Sequence, residues 1–515
     1  MRIIQLATAD FLQRARSASF IVMLALTSLL STLFVPPLDA NYAVLTIGDH
    51  RPLYDSVGIS LMFAFTISLA LSLFAFYLVR NTVQRDRQTR VGQIIATTQT
   101  GSATYLVSKW ASNLALLSTN LALKTVMAPL MQLLRAEVLT INIVQLVLPI
   151  WLIGLPVLSL VAGVAVLFET IPFLRGGFGN IAYFFVWTFS LASLALTGTD
   201  LAIARYDPFG IAYPFFEILA QPNAPVMDTL TLGGGSTRLM PVFDIQPITW
   251  SAPAIVGRLF WLAVGAGIAA LGVLPFDRFA KSHSNRLLAN LWEQLRPKRA
   301  TTAGGAAFDA PRLTPLPADR VRSRFFALVL AELKLLVKGQ PWWWLVGMGI
   351  IVLVGIFAPN PQLVLVVTIW PVLVWSAMGN REKTHDTMAL ILTTPQPVMR
   401  QLPATYLAGV ILSGVLVSGF MLQLMVAGAW LALASVLSGV LLIPAMALAF
   451  GTISGTSRLF EIGYLLWWYI ALNASAAPAL HPMLTEAPAA IPLYVAATAV
   501  LLGIATLGRM QNVVQ

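Results

Sequence analysis

Residues 401–457 run for 57 positions without one Asp, Glu, Lys or Arg. A water-soluble chain has no use for such a stretch. A bilayer-crossing helix needs about 20 mostly apolar residues, and in hydrocarbon each spanning element has to satisfy its own backbone polar groups. This run is long enough for two crossings, with a short hinge near 425–430. Residues 17–38, 56–79, 138–168, 176–199, 462–485 and 487–508 supply one each, and so does 259–276, which extends back to Pro253 across Arg258. Residues 339–380 are split by Ala-Pro-Asn-Pro at 358–361 into two, and 110–134 is apolar apart from Lys124 and Pro129. The sequence therefore predicts an all-α polytopic membrane protein of about 12 transmembrane helices.

Composition narrows the chemistry. Only 10% of the 515 residues are charged, against roughly a quarter in ordinary globular chains, which excludes a soluble enzyme, a disordered protein and a coiled coil. The absence of cysteine removes disulfides, thiolate metal sites and cysteine nucleophiles together. His50, His283, His385 and His481 are too scattered to suggest a metal centre. A net charge of +11 fits either nucleic-acid binding or the positive-inside rule. An even number of spans puts both termini on one side. Placing them in the cytoplasm assigns 26 of the 32 Lys and Arg to inner segments and four (Arg51, Arg135, Arg205, Arg238) to outer ones. The outer stretch 200–252 is acidic by contrast, with Asp200, Asp207, Glu217, Asp228 and Asp244. The basic excess is topological, no nucleic-acid partner is expected, and the chain reads as multi-pass in the cell (inner or plasma) membrane. Arg2, Arg14 and Arg16 ahead of residues 17–35 resemble a cleaved leader. The equivalent helix at 341–358 lies mid-chain, so the segment is read as the first span.

An internal repeat organises the chain. RDRQTRVGQIIATTQ (85–99) matches REKTHDTMALILTTP (381–395) at an offset of 296, pairing Arg85 with Arg381, Asp86 with Glu382, Arg87 with Lys383, and Thr97-Thr98 with Thr393-Thr394. FETIPFLRGGF (168–178) matches FGTISGTSRLF (450–460) at 282, and each leads into an aromatic helix, YFFVW (183–187) and YLLWWY (464–469). ADFLQR (9–14) matches AELKLL (331–336) at 322. Two six-span units inserted in one direction are parallel repeats, related by a pseudo-twofold axis along the membrane normal. The halves are 1–276 and 323–515, joined by a cytoplasmic linker at 277–322 broken by Pro and Gly. Ahead of each first span, Ile3, Ile4, Ala7 and Phe11, and again Phe325, Phe326, Val329 and Leu333, recur at helical spacing. They read as amphipathic helices on the inner leaflet.

No phosphate-binding G-x-x-x-x-G-K-[ST], H-E-x-x-H or G-x-S-x-G is present, and the GGG at 233–235 reads as a flexible turn. No carboxylate sits deep in a span, which argues against coupling to an ion gradient. Glu169 lies at an inner helix end, Lys124 reads as a snorkelling lysine and Arg258 as the outer end of its span. Trp342, Trp343 and Trp344 read as an interfacial belt. The two inner loops, 80–110 and 379–402, each open on a basic-acidic-basic triplet and continue into a short amphipathic turn. One such loop is ordinary topology; two in register suggest duplicated docking surfaces.

R-D-R-x-T-x-x-G-x-I-x-A-T-T at 85–98, followed by YLVSKWASN (105–113), resembles the loop between the second and third spans of ABC-2 type exporter permeases. The six-span halves, the amphipathic helix before the first span and the long outer segment between spans five and six fit as well. The second half departs from the motif, with Met388 at the Gly92 position. The resemblance implies a transmembrane permease subunit of an ATP-driven exporter, two halves fused, with no hydrolytic activity or cofactor of its own. ATP and Mg would reside on two copies of a separate ABC-type ATP-binding subunit. Coupling to them would fall on Arg85, Asp86, Arg87, Arg90, Gly92, Thr97 and Thr98, and on Arg381, Glu382, Lys383, Thr393, Thr394 and Pro395. The second and fifth spans of each half would line the pathway, so that Tyr183, Phe184, Trp187, Tyr464, Trp467 and Trp468 touch a hydrophobic or amphipathic substrate. Aromatics near a helix end also make interfacial belts, which leaves both readings of these six open. The other class of function is a self-contained secondary transporter or channel; an integral-membrane enzyme is disfavoured by the lack of clustered polar residues in the spans.

Overall fold

The computed structural model describes residues 2–40, 43–135, 137–194, 204, 206–222, 224, 230–234, 240–277, 279, 324–338, 340, 342–357, 368–385, 387–392, 397–473 and 490–514. The chain forms two compact units, Met1–Ala289 and Asn290–Gln515.

In the first unit α1 (Arg2–Ala15) leads into α2 (Ala18–Phe34), whose Ser17 cap accepts from the Phe20 amide. α3 (Ser56–Thr66) is capped by Asp55, passes through a π-helical turn at Ile67–Leu71 and continues as α4 (Ser72–Val79). Two short helices follow, α5 (Thr82–Gln88) and α6 (Val91–Thr97), and then the long α7 (Ser102–Arg135), α8 (Ile143–Thr170) and α9 (Gly177–Leu194). A short α10 (Ala212–Leu219) precedes α11 (Ala252–Leu271). The second unit contains α12 (Arg324–Lys338), α13 (Trp342–Phe357), three short helices α14 (Val372–Ser376), α15 (Arg381–Thr384) and α16 (Met388–Leu392), and the long α17 (Pro397–Val426), α18 (Trp430–Ser454), α19 (Arg458–Asn473) and α20 (Ala490–Val514).

Seven helical stretches among the described residues are long and apolar enough to cross a bilayer: 56–88, 102–135, 143–170, 252–271, 398–426, 430–454 and 490–511. The helices at the other expected positions are shorter there, and at the eighth position the described residues hold only α14. The protein is helical and membrane-embedded. Its outward faces agree: Val126, Val256, Leu353 and Val500 are all more than half exposed, an arrangement that water would penalise and lipid does not.

Helices meet where side chains are small. A Cβ on Gly163 of α8 would sit 2.2 Å from the Gly265 carbonyl oxygen of α11, and one on Gly419 of α17 would sit 2.2 Å from the Val352 carbonyl oxygen of α13. Backbone-to-backbone crossings of this kind are how membrane helices associate without a hydrophobic driving force.

Three expectations change. The first GGG glycines are not a turn: β3 (Leu230–Gly234) pairs antiparallel with β1 (Ala43–Ile47), Gly234 opposite Ala43, and β2 (Arg51–Pro52) pairs with β4 (Val242–Phe243). Small β-ladders thus knit the segments around 43–52 and 230–243 of an otherwise helical unit, because a two-residue glycine step fits a strand whose neighbour approaches closely. Trp344 is not in a belt. It is buried, its indole donates to the Trp370 carbonyl, and Trp370 returns the bond to Trp344 at 3.1 Å. Lys124 does not snorkel. Its ammonium is buried among α2 groups, donating to the Thr27 carbonyl and the Ser31 hydroxyl, and lies 5.1 Å from the centre of the Phe34 ring.

Candidate functional site

The charged loop of the first unit is built inward. α1 turns its polar face to the protein and its apolar face out: Asp10 is buried while Ile4 is 70% exposed. That orientation suits a helix lying in lipid. Asp10 is the hub. Its carboxylate receives Arg14 at 2.7 Å, Arg85 at 2.8 Å, Lys109 at 2.8 Å and the Ser112 hydroxyl at 2.7 Å. Burial would raise the Asp10 carboxyl, but Lys109 and Arg14 overcome it and hold the pKa down at about 2. Arg14 also donates to Asn113 at 2.7 Å.

Asp86 is buried on the neighbouring turn, accepting from Lys109 at 2.8 Å and from the Tyr105 hydroxyl at 2.6 Å. Tyr105 and Lys109 are four residues apart on α7 and so share one face. Glu169, at the end of α8, accepts from the backbone amides of Thr82 (3.0 Å), Val83 (2.6 Å) and Gln84 (3.0 Å). A carboxylate there satisfies the orphan donors of α5 and complements its dipole. Arg80 completes the frame, donating to the Asn180 side chain and the Leu174 and Gly176 carbonyls ahead of α9.

Arg87 pairs with Asp277 at 2.5 Å and lies over the Phe279 ring at 5.5 Å. Phe279 in turn sits on Gly92, where a Cβ would come within 2.4 Å of the ring. Gly92 is therefore required by close approach. Arg90 adopts φ 62° and turns the chain into α6. On α6, Gly92 is buried and Ile95 packs toward Val83, Tyr105 and Phe276. Val91, Gln93, Ile94, Thr97 and Thr98 are exposed, Ile94 by 67%.

The second unit repeats the theme. Arg381 pairs with Glu332 of α12. Glu382 pairs with Arg509 of α20 and accepts from the Gln401 side-chain amide at 2.7 Å, and Arg509 donates to Gln401 at 2.9 Å. Asp10 and Glu332 are the residues matched at offset 322, and Arg85 and Arg381, Asp86 and Glu382, and Tyr105 and Gln401 are all 296 apart. The ammonium of Lys383 packs against Gly455. Leu390 of α16 is 72% exposed. Thr393, Thr394 and Pro395 lie outside the described residues.

The sequence-predicted coupling residues thus divide. Arg85, Asp86, Arg87, Arg381 and Glu382 spend their charges on internal partners, Arg90 and Gly92 shape the backbone, and Thr97 and Thr98 face outward. Sequence reasoning missed Asp10, Tyr105, Lys109 and Glu332 as members of the network. The signal was present in the Tyr105/Lys109 spacing and in the Asp10/Glu332 match.

The six aromatic residues divide as well. Tyr183 donates to the Ser72 carbonyl at 2.9 Å and stacks on Phe76 at 3.7 Å, and the Trp187 indole donates to the Ser72 hydroxyl at 2.9 Å. Both line a cavity of about 240 Å³ in the first unit. Phe184 is fully buried against Phe185 and Trp187. Tyr464 is fully buried, stacks on Phe460 and donates to the Thr368 carbonyl at 3.2 Å. Thr368 stands 296 positions after Ser72, so in each unit a buried tyrosine donates to the carbonyl at one of two positions 296 apart. Trp468 is buried, and Trp467 lies 6.4 Å from the Tyr494 ring.

Arg258 is buried and donates to the Asp207 carbonyl, while the Asp207 carboxylate caps the amides of Phe209, Ile211 and Ala212 at 2.7–2.9 Å. Arg258 lies in the second turn of α11 and pins the Asp207 segment to it. Among the described residues no group of three or more His, Asp or Glu could hold a metal ion.

Fold and site together define a class: a polytopic helical membrane protein whose charged loops are locked to the helix preceding each unit's first long helices. No family model and no curated protein matches the chain.

Proposed function

We propose that this chain is the transmembrane subunit of an ATP-driven exporter of the ABC-2 type, with twelve spans in two same-direction halves and both termini in the cytoplasm. The observation that carries the reading is the duplicated lock, Arg85 to Asp10 and Arg381 to Glu332, formed by residues that the two sequence offsets match independently. A loop bolted to its interfacial helix moves as one piece with it, so a push on the loop reaches the spans. α6 supplies the surface to be pushed, with Val91, Ile94 and Thr97 exposed beside a rigid base. Hydrolysis on two ATP-binding partner subunits would then switch the spans between states of different substrate affinity.

The test is a mild-detergent pull-down of the full chain with its cellular partners, followed by mass spectrometric identification. A Walker-motif ATPase is expected. The double substitution Ile94→Asp with Thr97→Asp removes it while yield and apparent Tm stay at wild-type values, because neither side chain joins the ion network. Recovery of the ATPase at normal yield with that variant refutes docking at α6.

A further inference from the structure

The cavity beside Tyr183 and Trp187 lies wholly in the first unit, walled by Val157, Leu160, Val161 and Val164 of α8, by α9, and by Trp261 of α11. At about 240 Å³ it exceeds the roughly 150 Å³ at which an apolar cavity stays dry and takes up a hydrocarbon. Its polar hydrogens are already used. Ser72 donates to the Leu69 carbonyl at 2.9 Å, Tyr183 to the Ser72 carbonyl at 2.9 Å, and Trp187 to the Ser72 hydroxyl at 2.9 Å. Ser190 donates to the Val186 carbonyl at 2.6 Å and Trp261 to the Tyr206 carbonyl at 2.8 Å. The side chains of the wall therefore offer an incoming polar group no free donor, and burying such a group unpaired is costly.

The wall reaches an apolar surface. Val186, itself part of the wall, is 47% exposed, and Phe189 and Phe260, chain neighbours of the wall residues Ser190 and Trp261, are 69% and 50% exposed. The π-helical turn at Ile67–Leu71 ends where Ser72 enters the wall, and such turns are frequent at functional sites.

We infer that this cavity is a binding site for one hydrocarbon chain of a membrane lipid, entered sideways from the bilayer, with the headgroup left outside. Apolar walls, consumed donors and exposed apolar side chains at and next to the wall select an acyl tail over any polar ligand. The site goes beyond the transport reading and does not depend on it.

Full-length protein in phosphatidylglycerol and phosphatidylethanolamine vesicles, doped with a phospholipid carrying a diazirine in its acyl chain, is irradiated and its peptides mapped. Labelling concentrates on 157–164 and 186–190, and oleic acid competes it away while glycerol phosphate does not. Val164→Trp, which occupies part of the cavity, lowers that labelling about tenfold, the loss for displacing roughly two methylenes of bound chain. Labelling of outward-facing Val126 and Val256 stays unchanged. Should Val164→Trp fail to fold, the competition arms on the wild-type chain decide. Cavity labelling no greater than at Val126 and Val256, insensitive to oleic acid, or displaced by glycerol phosphate overturns the inference. No ATPase is present, so this outcome and that of the pull-down are separate.

Discussion

Replacing Asp10 by Asn leaves three cations, Arg14, Arg85 and Lys109, around a neutral amide. The pKa of Asp10 falls from 3.8 to about 2, and a difference of nearly two units corresponds to about 2 kcal/mol favouring the charged carboxylate in the folded state. Stranding buried positive charge adds to this, and removal of one partner of a buried pair costs about 3–5 kcal/mol. The expected destabilisation of the first unit is therefore about 2–5 kcal/mol, an apparent Tm lowered by roughly 4 °C or more. Asp10→Glu, the residue that stands at the matched position 332, restores most of it. The folded pKa is depressed, so the contribution is complete above the unfolded value near 4 and disappears as pH falls through about 2. The assay is tryptophan-monitored unfolding in detergent at pH 7, with amide exchange read over 82–98. A fall of less than 1 °C together with unchanged exchange in that loop would refute the claim that Asp10 is its anchor.

Gly92→Ala drives a methyl into the Phe279 ring and costs about 1–3 kcal/mol of overpacking; faster exchange confined to 89–98 is the expected signature, and protection equal to wild type counts against the contact. Trp344→Phe deletes the indole bond to the Trp370 carbonyl, lowering stability by about 1 kcal/mol, measurable as an earlier unfolding transition. Glu137 holds Arg51 through two bonds of 2.6 and 2.8 Å, and the hydrogen bonds from Arg51 lower its carboxyl pKa. Glu137→Gln should abolish the acid-side loss of stability that this group contributes below its unfolded pKa, and an unchanged acid limb in a pH titration of Tm would exclude that role.

The long apolar helices were legible because a charge-free run of that length has few other uses, and seven such stretches stand among the described residues where about twelve crossings were expected. The paired loops stood out because Arg85 and Arg381, and Asp86 and Glu382, share one offset, and each of the four carries an ion pair in the structure. What the sequence concealed was direction. A basic-acidic-basic triplet at a membrane edge looks the same whether it faces water or folds inward, and the partners of Arg85 and Asp86 lie far apart along the chain, on α1 and α7. Lys124 was misread for a related reason: the pattern shows an isolated cation in an apolar helix, while the carbonyl of Thr27 and hydroxyl of Ser31 that receive it belong to another element. Trp344 sits in a row of three tryptophans that reads as a belt until Trp370 is seen to return its bond. The outer ladders escaped because β1 is five residues long and its partner is nearly 200 positions away.

Both loop locks are finished by residues far downstream of the loops: Asp277 and Phe279 for the first, Arg509 for the second. A ribosome therefore inserts nearly an entire half before the clasp that steadies α6 or α15 has been made. A nascent chain that stops before that point leaves these loop contacts unmade. The order of synthesis itself thus decides when each loop is fixed in place.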